Sequence, residues 1–337
     1  MRILICTGIY PPDVGGPAKY AKHLEIEFIT KGHQAKVLSY KIEKKLPVIL
    51  RHFIYFLKVC FNLKNVDFII GLDLVSTGFP SVLAARIFHK KIVVRIGGDF
   101  LWETYVEKTG NLITLEDFYG KMPPLPLKHK IIYLLQKFTI ENSSAISFNS
   151  FWQRKIFEKV YKMNQNKVFV VENFYGPKIT EEEPKKKNFL FAGRQIKFKN
   201  LKIIEEIFDE LKKEGSNIKL DIISNLKEEE LREKIRGCYA LIVPSITDFA
   251  PNFIIEGLAF NKPFILTRNC GLHEKLKEIG IFVDPFNKED IKNKILFLAD
   301  EKNYQEYKKR VKNFNFTHSW QEIANEFINI LTTLTTK

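Results

Sequence analysis

Short, mainly apolar runs recur along this chain, and each stops at a glycine, a proline or a polar turn: ILICT, VDFIIGL, KIVVRIGG, NFLFAG, YALIVPS and PFILT. Runs this brief are strand-length, and being apolar on both faces they fit strands buried on both sides of a parallel sheet. Between them lie longer segments with helical spacing. Tyr20, Ala21, Leu24 and Phe28 fall on one helical face, as do Ile204, Ile207, Phe208 and Leu211. Strands alternating with helices predict an α/β architecture. A length of 337 residues leaves room for about two domains. The charged stretch PKITEEEPKKK, residues 177–187, reads as the linker between them.

The most informative stretch runs from Tyr239 to Thr267, YALIVPSITDFAPNFIIEGLAFNKPFILT. It predicts a buried strand, a loop opened by Pro244 and carrying Asp248, a helix from about Asn252 with Glu256 in its first turns, and another buried strand. Ligands of open parallel sheets bind at the carboxyl ends of strands. A helix beginning there, at Asn252 and Phe253, also offers backbone N–H groups to an anion. A second such place follows NFLFA, where Gly193 and Arg194 lead through a short loop to Lys199. An arginine and a lysine at a strand top suit a phosphate, one as a bidentate clamp and the other as a point charge.

Two more turns stand at strand ends in the first half. After ILICT comes GIYPPDVGGPAKY, with Gly15 and Gly16 ahead of Pro17 in the first helical turn. This loop lacks the G-x-G-x-x-G pattern, which disfavours a dinucleotide oxidoreductase. After KIVVRI come Gly97, Gly98 and Asp99, a grouping that also suits a plain turn.

Charge is uneven. Residues 1–172 hold 25 Lys and Arg against 14 Asp and Glu, a net of +11, whereas residues 173–337 hold 28 against 25. An anionic partner for the first half is expected: a phospholipid surface, a lipid pyrophosphate or nucleic acid. In residues 41–65 the polar residues Lys44, Arg51, Tyr55, Lys58 and Asn62 form one stripe on an otherwise apolar helix. That pattern fits a buried helix with a solvated edge, or a helix touching an anionic membrane. Arg51, His52 and Lys58 argue against a membrane span there. Cys6, Cys60, Cys238 and Cys270 are isolated, so reduced thiols are expected and no metal knuckle is signalled. Met1 and Arg2 run directly into ILICT, which leaves no room for a signal peptide and predicts a cytoplasmic protein.

Taken in order, Gly15-Gly16, Gly97-Gly98-Asp99, Gly193-Arg194 with Lys199, the Asp248/Glu256 pair and the run EGLAFNKP resemble the motifs of the retaining family-four glycosyltransferases, glycosyl transferases group 1 of the GT-B fold. Asp248 stands where that family has a glutamate, and Asn200 where it has a glycine after the lysine. The resemblance spans essentially the whole chain. It implies two facing Rossmann-like domains with a C-terminal helix returning to the first. The expected limits are 1–173 for an acceptor-side domain, 174–187 for the linker, 188–316 for a nucleotide-sugar domain and 317–337 for the returning helix. It also implies a nucleoside diphosphate sugar donor, no metal requirement, and a glycan or lipid-linked acceptor in cell-surface polysaccharide or glycolipid synthesis. Arg194 and Lys199 would hold the diphosphate, Glu256 the ribose and Asp248 the transferred sugar, while Asp99 would orient the acceptor. A sugar-nucleotide epimerase of the same fold is the enzymatic alternative. A nucleic-acid-binding protein fits the charge but not the carboxylate pair.

Overall fold

The computed structural model describes residues 1–179, 183–224 and 226–334. Parts of the expected linker (180–182) and of the expected last helix (335–337) lie outside them. The chain divides into two compact units: unit 1 comprises residues 1–104, 121–174 and 319–337, and unit 2 comprises residues 105–120 and 175–318.

In unit 1 the elements are β1 (Arg2–Thr7), α1 (Gly16–Thr30), β2 (Gln34–Ser39), α2 (Val48–Asn62), β3 (Phe68–Gly71), α3 (Gly78–Ile87), β4 (Lys91–Ile96) and α4 (Phe100–Thr109), the last of which runs out of the unit. After α5 (Leu115–Gly120), which belongs to unit 2, come α6 (Leu127–Asn142), β5 (Ala145–Phe148), α7 (Phe151–Tyr161) and β6 (Val168–Val170). The six strands pair in parallel in the order β2-β1-β3-β4-β5-β6. Helix α1 buries Tyr20, Ala21, Leu24 and Phe28, the face its periodicity predicts.

Unit 2 is built from β7 (Asn188–Ala192), α8 (Leu201–Lys213), β8 (Lys219–Ile223), α9 (Glu228–Gly237), β9 (Ala240–Val243) and α10 (Asn252–Ala259). It continues through β10 (Phe264–Thr267), α11 (His273–Leu276), β11 (Ile281–Val283), α12 (Lys288–Ala299) and α13 (Glu301–Asn313). Its parallel sheet runs β11-β10-β9-β7-β8. Helix α8 buries Ile204, Ile207, Phe208 and Leu211, again as the spacing predicts. After unit 2 the chain re-enters unit 1 as α14 (Trp320–Thr333), capped by a Ser319/Glu322 capping box. Ile323, Phe327 and Leu331 of α14 share one core with Ile5, Phe28 and Val93. Trp320 stacks on His23 at 4.5 Å and on Phe174 at 5.2 Å.

Two features differ from the sequence expectation. Residues 105–120 were expected in the first domain but pack within unit 2. The Leu115 N–H donates to Thr247 Oγ1 at 3.0 Å, the Phe198 N–H to Glu107 Oε1 at 3.2 Å, and Lys197 Nζ to the Glu107 carbonyl at 2.9 Å. Helix α2 is turned the other way round. Its polar stripe faces the protein: Tyr55 is fully buried with its hydroxyl donating to the Leu38 carbonyl at 2.8 Å. Arg51 donates to the carbonyls of Glu43, Lys44 and Leu46. Lys58 reaches the Ser39 carbonyl at 2.7 Å and Glu43 Oε1 at 2.9 Å. The stripe is therefore no solvated edge, because long polar side chains here satisfy backbone carbonyls that would otherwise lose their hydrogen bonds.

Candidate functional site

Each sheet has one place where the strand order reverses, and such a reversal opens a crevice at the carboxyl ends of the two strands. In unit 2 the chain leaves β7 for β8 on one side and then crosses to β9 on the other. The crevice thus lies between the loop after β7, with Gly193, Arg194 and Lys199, and the loop after β9, with Asp248. The Ile246 N–H ties the two loops together by donating to the Phe198 carbonyl at 2.8 Å.

Lys199 ends a 3-10 turn, Lys197–Lys199, and Asn200 then takes a left-handed φ of 59° before α8 begins. Glycine and asparagine are the residues that adopt this conformation at little cost. Asn200, where the family has a glycine, thus takes a conformation that glycine also adopts readily. Its side chain adds two bonds, Nδ2 donating to the Pro244 carbonyl at 3.2 Å and to the Pro285 carbonyl at 2.7 Å. With the loop so fixed, Lys199 Nζ lies 2.7 Å from Asp248 Oδ2. Arg194 is exposed at the crevice rim.

Asp248 is held from behind. Its N–H donates to the Asn269 carbonyl and its carbonyl accepts from the Gly271 N–H, both at 3.0 Å, in a parallel bridge to Cys270. Beyond it, α10 begins at Asn252 after Pro251, and no side chain caps it. No acidic residue lies in its first turn, so the positive end of its dipole is not neutralised from within the helix. Asn252 is exposed, and Phe253 and Glu256 are partly so. The helix lies so close to β9 that a Cβ at Gly257 would stand 2.0 Å from Leu241 Cδ1. Asn261, where the family run has a glycine, takes φ 54°.

In unit 1 the reversal falls between β1 and β3. A cavity of about 350 Å³ opens there, lined by Thr7, Gly8 and Ile9 after β1, by Asp73 and Ser76 after β3, and by Tyr40, Lys44 and Phe100 among others. Gly15, with φ 153°, is the N-cap of α1, and a Cβ there would meet Ile9 Cδ1 at 3.0 Å. Gly16 opens the helix with Pro17, a wall of the cavity. Lys44 pairs with Asp13. Asp73 accepts from the Thr77 N–H at 2.9 Å and the Gly78 N–H at 3.2 Å, and so also fixes the start of α3.

Asp99 has a different place from the one expected. It is fully buried and caps α4: its Oδ1 accepts from the Leu101 N–H at 2.9 Å, the Trp102 N–H at 3.2 Å and Gln136 Nε2 at 3.2 Å. A carboxylate without accessible surface, committed to a helix N-terminus, orients α4 rather than an acceptor. Its neighbour Phe100, not Asp99, lines the cavity. Tyr40, Asp73 and Ser76 were not singled out from the sequence. Asp73 carried the clearest signal, an acidic residue directly after the apolar run FIIGL with Ser76 and Thr77 to follow.

No protein-family model matches the chain. It is 23% identical to an uncharacterized glycosyltransferase of Methanocaldococcus jannaschii, an alignment covering 96% of this chain and 95% of that protein. Among solved structures it resembles the sucrose-phosphate synthase of Thermosynechococcus elongatus, with TM-score 0.72, 13% identity and 99% of each chain covered. It also resembles WaaG, a glycosyltransferase involved in lipopolysaccharide biosynthesis, with TM-score 0.69, 11% identity, 98% of this chain and 99% of that one covered. At such identities the structural likeness speaks for the fold. The chain has the GT-B fold and is similar in sequence, over nearly its whole length, to a glycosyltransferase.

Proposed function

We propose that this chain is a retaining glycosyltransferase of the hexosyl type, taking its sugar from a nucleoside diphosphate. The observation that carries the reading is the contact of Lys199 with Asp248 across the strand-order reversal of unit 2, with Arg194 in the same loop as Lys199 and α10 beginning just beyond Asp248. Two cations and a helix N-terminus at one crevice suit a diphosphate, whose charge grows as the glycosidic bond breaks. Arg194 and Lys199 neutralise it, which leaves no need for a divalent cation. The N–H groups of Asn252 and Phe253 face the donor, Glu256 accepts from ribose hydroxyls, and Asp248 binds the sugar. The bond from the anomeric carbon to the phosphate oxygen breaks, and the acceptor oxygen bonds to that carbon on the same face. The acceptor's proton passes to the departing phosphate.

The acceptor is assigned to the cavity of unit 1, beside the Gly15-Gly16 loop, with Tyr40, Lys44 and Asp73 as its polar contacts. A glycan or lipid-linked acceptor, used in cell-surface polysaccharide or glycolipid synthesis at the cytoplasmic face of an anionic membrane, fits the basic first half. Thermal shift with UDP, GDP, ADP and CDP tests the donor. A nucleotide at about 100 times its Kd stabilises by about 2.7 kcal/mol, and absence of any shift removes the reading. NMR of the product's anomeric centre then tests retention, and turnover in EDTA tests metal independence. Interconversion of the free sugar nucleotide without transfer would identify an epimerase instead.

A further inference from the structure

Helix α2 is inverted relative to an ordinary surface helix, and the inversion leaves an apolar face in water. Ile49 is 87% exposed, Phe53 56% and Phe61 84%. Rotation cannot hide them, because Arg51, Tyr55 and Lys58 are bound on the opposite side. The face continues sideways. His52 meets Phe79 of α3 edge-on at 6.4 Å, and Phe79 meets Phe138 of α6 at 5.5 Å, so the three helices form one layer. Phe88 after α3, and Ile131 and Leu134 on α6, are also exposed. Exposed lysines flank α2 at both ends, Lys41 and Lys45 before it and Lys64 after it. Among the described residues no helix is long and apolar enough to cross a membrane.

We infer that the outer face of α2 docks on an anionic lipid bilayer, with Ile49, Phe53 and Phe61 entering the acyl boundary and Lys41, Lys45 and Lys64 meeting lipid phosphates. An apolar face with cations at its rim is what an interfacial helix presents to such a surface. A second copy of the chain fits less well, since a two-fold contact would set the lysine rim against itself. The segment from Tyr40 to Leu46 joins this face to the acceptor cavity: Tyr40 and Lys44 line that cavity, while Lys41 and Leu46 line a neighbouring one of about 320 Å³ against α2. The inference rests on the proposed function only in making the docked lipid the acceptor's carrier.

Flotation with phosphatidylcholine vesicles, with and without phosphatidylglycerol, tests it at about 0.1 M salt, where the Debye length is about 10 Å. Wild type is expected to float with the anionic vesicles. Replacing Ile49, Phe53 and Phe61 together by Ser should lower the partition coefficient by about a hundredfold or more. Lys41→Gln, Lys45→Gln and Lys64→Gln together should lower it by at least about tenfold. Because all six positions are exposed, Tm and any nucleotide-induced shift should stay at wild-type values. Wild type left unbound by anionic vesicles, or a serine variant that floats like wild type, overturns the inference. So does a wild-type dimer that the serine variant dissolves. Vesicle binding without any nucleotide shift would retain the docking face and remove the glycosyltransferase reading.

Discussion

Lys199 Nζ and Asp248 Oδ2 stand 2.7 Å apart, with the two side chains only 20% and 11% exposed. In the proposed reaction these groups belong to different parts of the donor, the phosphate and the sugar. Without ligand each is the other's counter-ion, in a place where water screens the pair less than at an open surface. Donor binding therefore has to divide an existing ion pair between two parts of one molecule. In the proposed reaction, phosphate recognition and sugar recognition are coupled for that reason.

Lys199→Ala and Arg194→Ala should each weaken nucleoside diphosphate binding by about 1.5–3 kcal/mol, the scale of a charge-assisted hydrogen bond, while hardly changing affinity for the nucleoside. Lys199→Ala also strands Asp248, so it should lower Tm, and adding Asp248→Asn should restore part of the loss. Calorimetric titration and thermal melts of the two single variants and the double variant check this. Unchanged diphosphate affinity in both single variants would remove the assignment.

The two carboxylates should separate kinetically. Glu256→Gln is expected to raise the donor's Kd with kcat largely kept, because a ribose contact exists before and during the reaction. Asp248→Asn is expected to lower kcat at saturating donor, because its contact tightens as positive charge develops at the anomeric carbon. Initial rates over a donor series decide it. Wild-type kcat in Asp248→Asn would leave this residue only its structural pairing with Lys199.

Gly257→Ala should destabilise by roughly 1–3 kcal/mol, the range for an overfilled core. The added methyl would lie 2.0 Å from Leu241 Cδ1, so either this buried side chain or α10 itself has to move. Because α10 opens the proposed donor site, nucleotide affinity should fall along with Tm. Pairing Gly257→Ala with Leu241→Ala should recover part of the nucleotide affinity, and a Gly257→Ala protein melting like wild type would refute the close approach.

The anchor of α2 should be sensitive to acid. Burial pushes the Glu43 carboxyl up, but hydrogen bonds from Lys58 and from backbone N–H groups outweigh it, so its pKa lies below the ordinary 4.5. A carboxylate whose folded pKa is depressed contributes fully above its unfolded value and loses that contribution as pH falls through the folded one. Glu43→Gln should therefore destabilise at pH 7, by an amount that shrinks as pH falls from the ordinary carboxylate range through the depressed folded value. Urea melts at pH 7, 5, 4 and 3 read the difference, and a constant gap across that range would contradict it.

The sheets were legible because strands buried on both faces spell themselves out as apolar runs, and helices packed on one face keep their period, as α1 and α8 do. Loops at the strand ends could be placed because their chemistry is unlike the runs they interrupt. Three things were hidden for separate reasons. The spacing of the stripe on α2 is the same whether it faces water or carbonyls, so periodicity could not orient the helix. Residues 105–120 join unit 2 through single hydrogen bonds to distant residues, such as Leu115 to Thr247, and these leave no local pattern. Asp99 after two glycines is equally a site residue or a helix cap, and only the N–H groups of Leu101 and Trp102 distinguish the two.

The placement of α14 bears on the birth of the molecule. Chains grow from the N-terminus, and domains ordinarily fold in the order they are made. Here a ribosome that has delivered residue 318 has supplied every residue of unit 2, yet unit 1, begun first, still lacks the helix that covers Ile5, Phe28 and Val93. The older half of the nascent chain must wait with that apolar surface unsealed until α14 emerges. The window for chaperone capture therefore opens on the N-terminal half and closes only when Phe327 and Leu331 arrive.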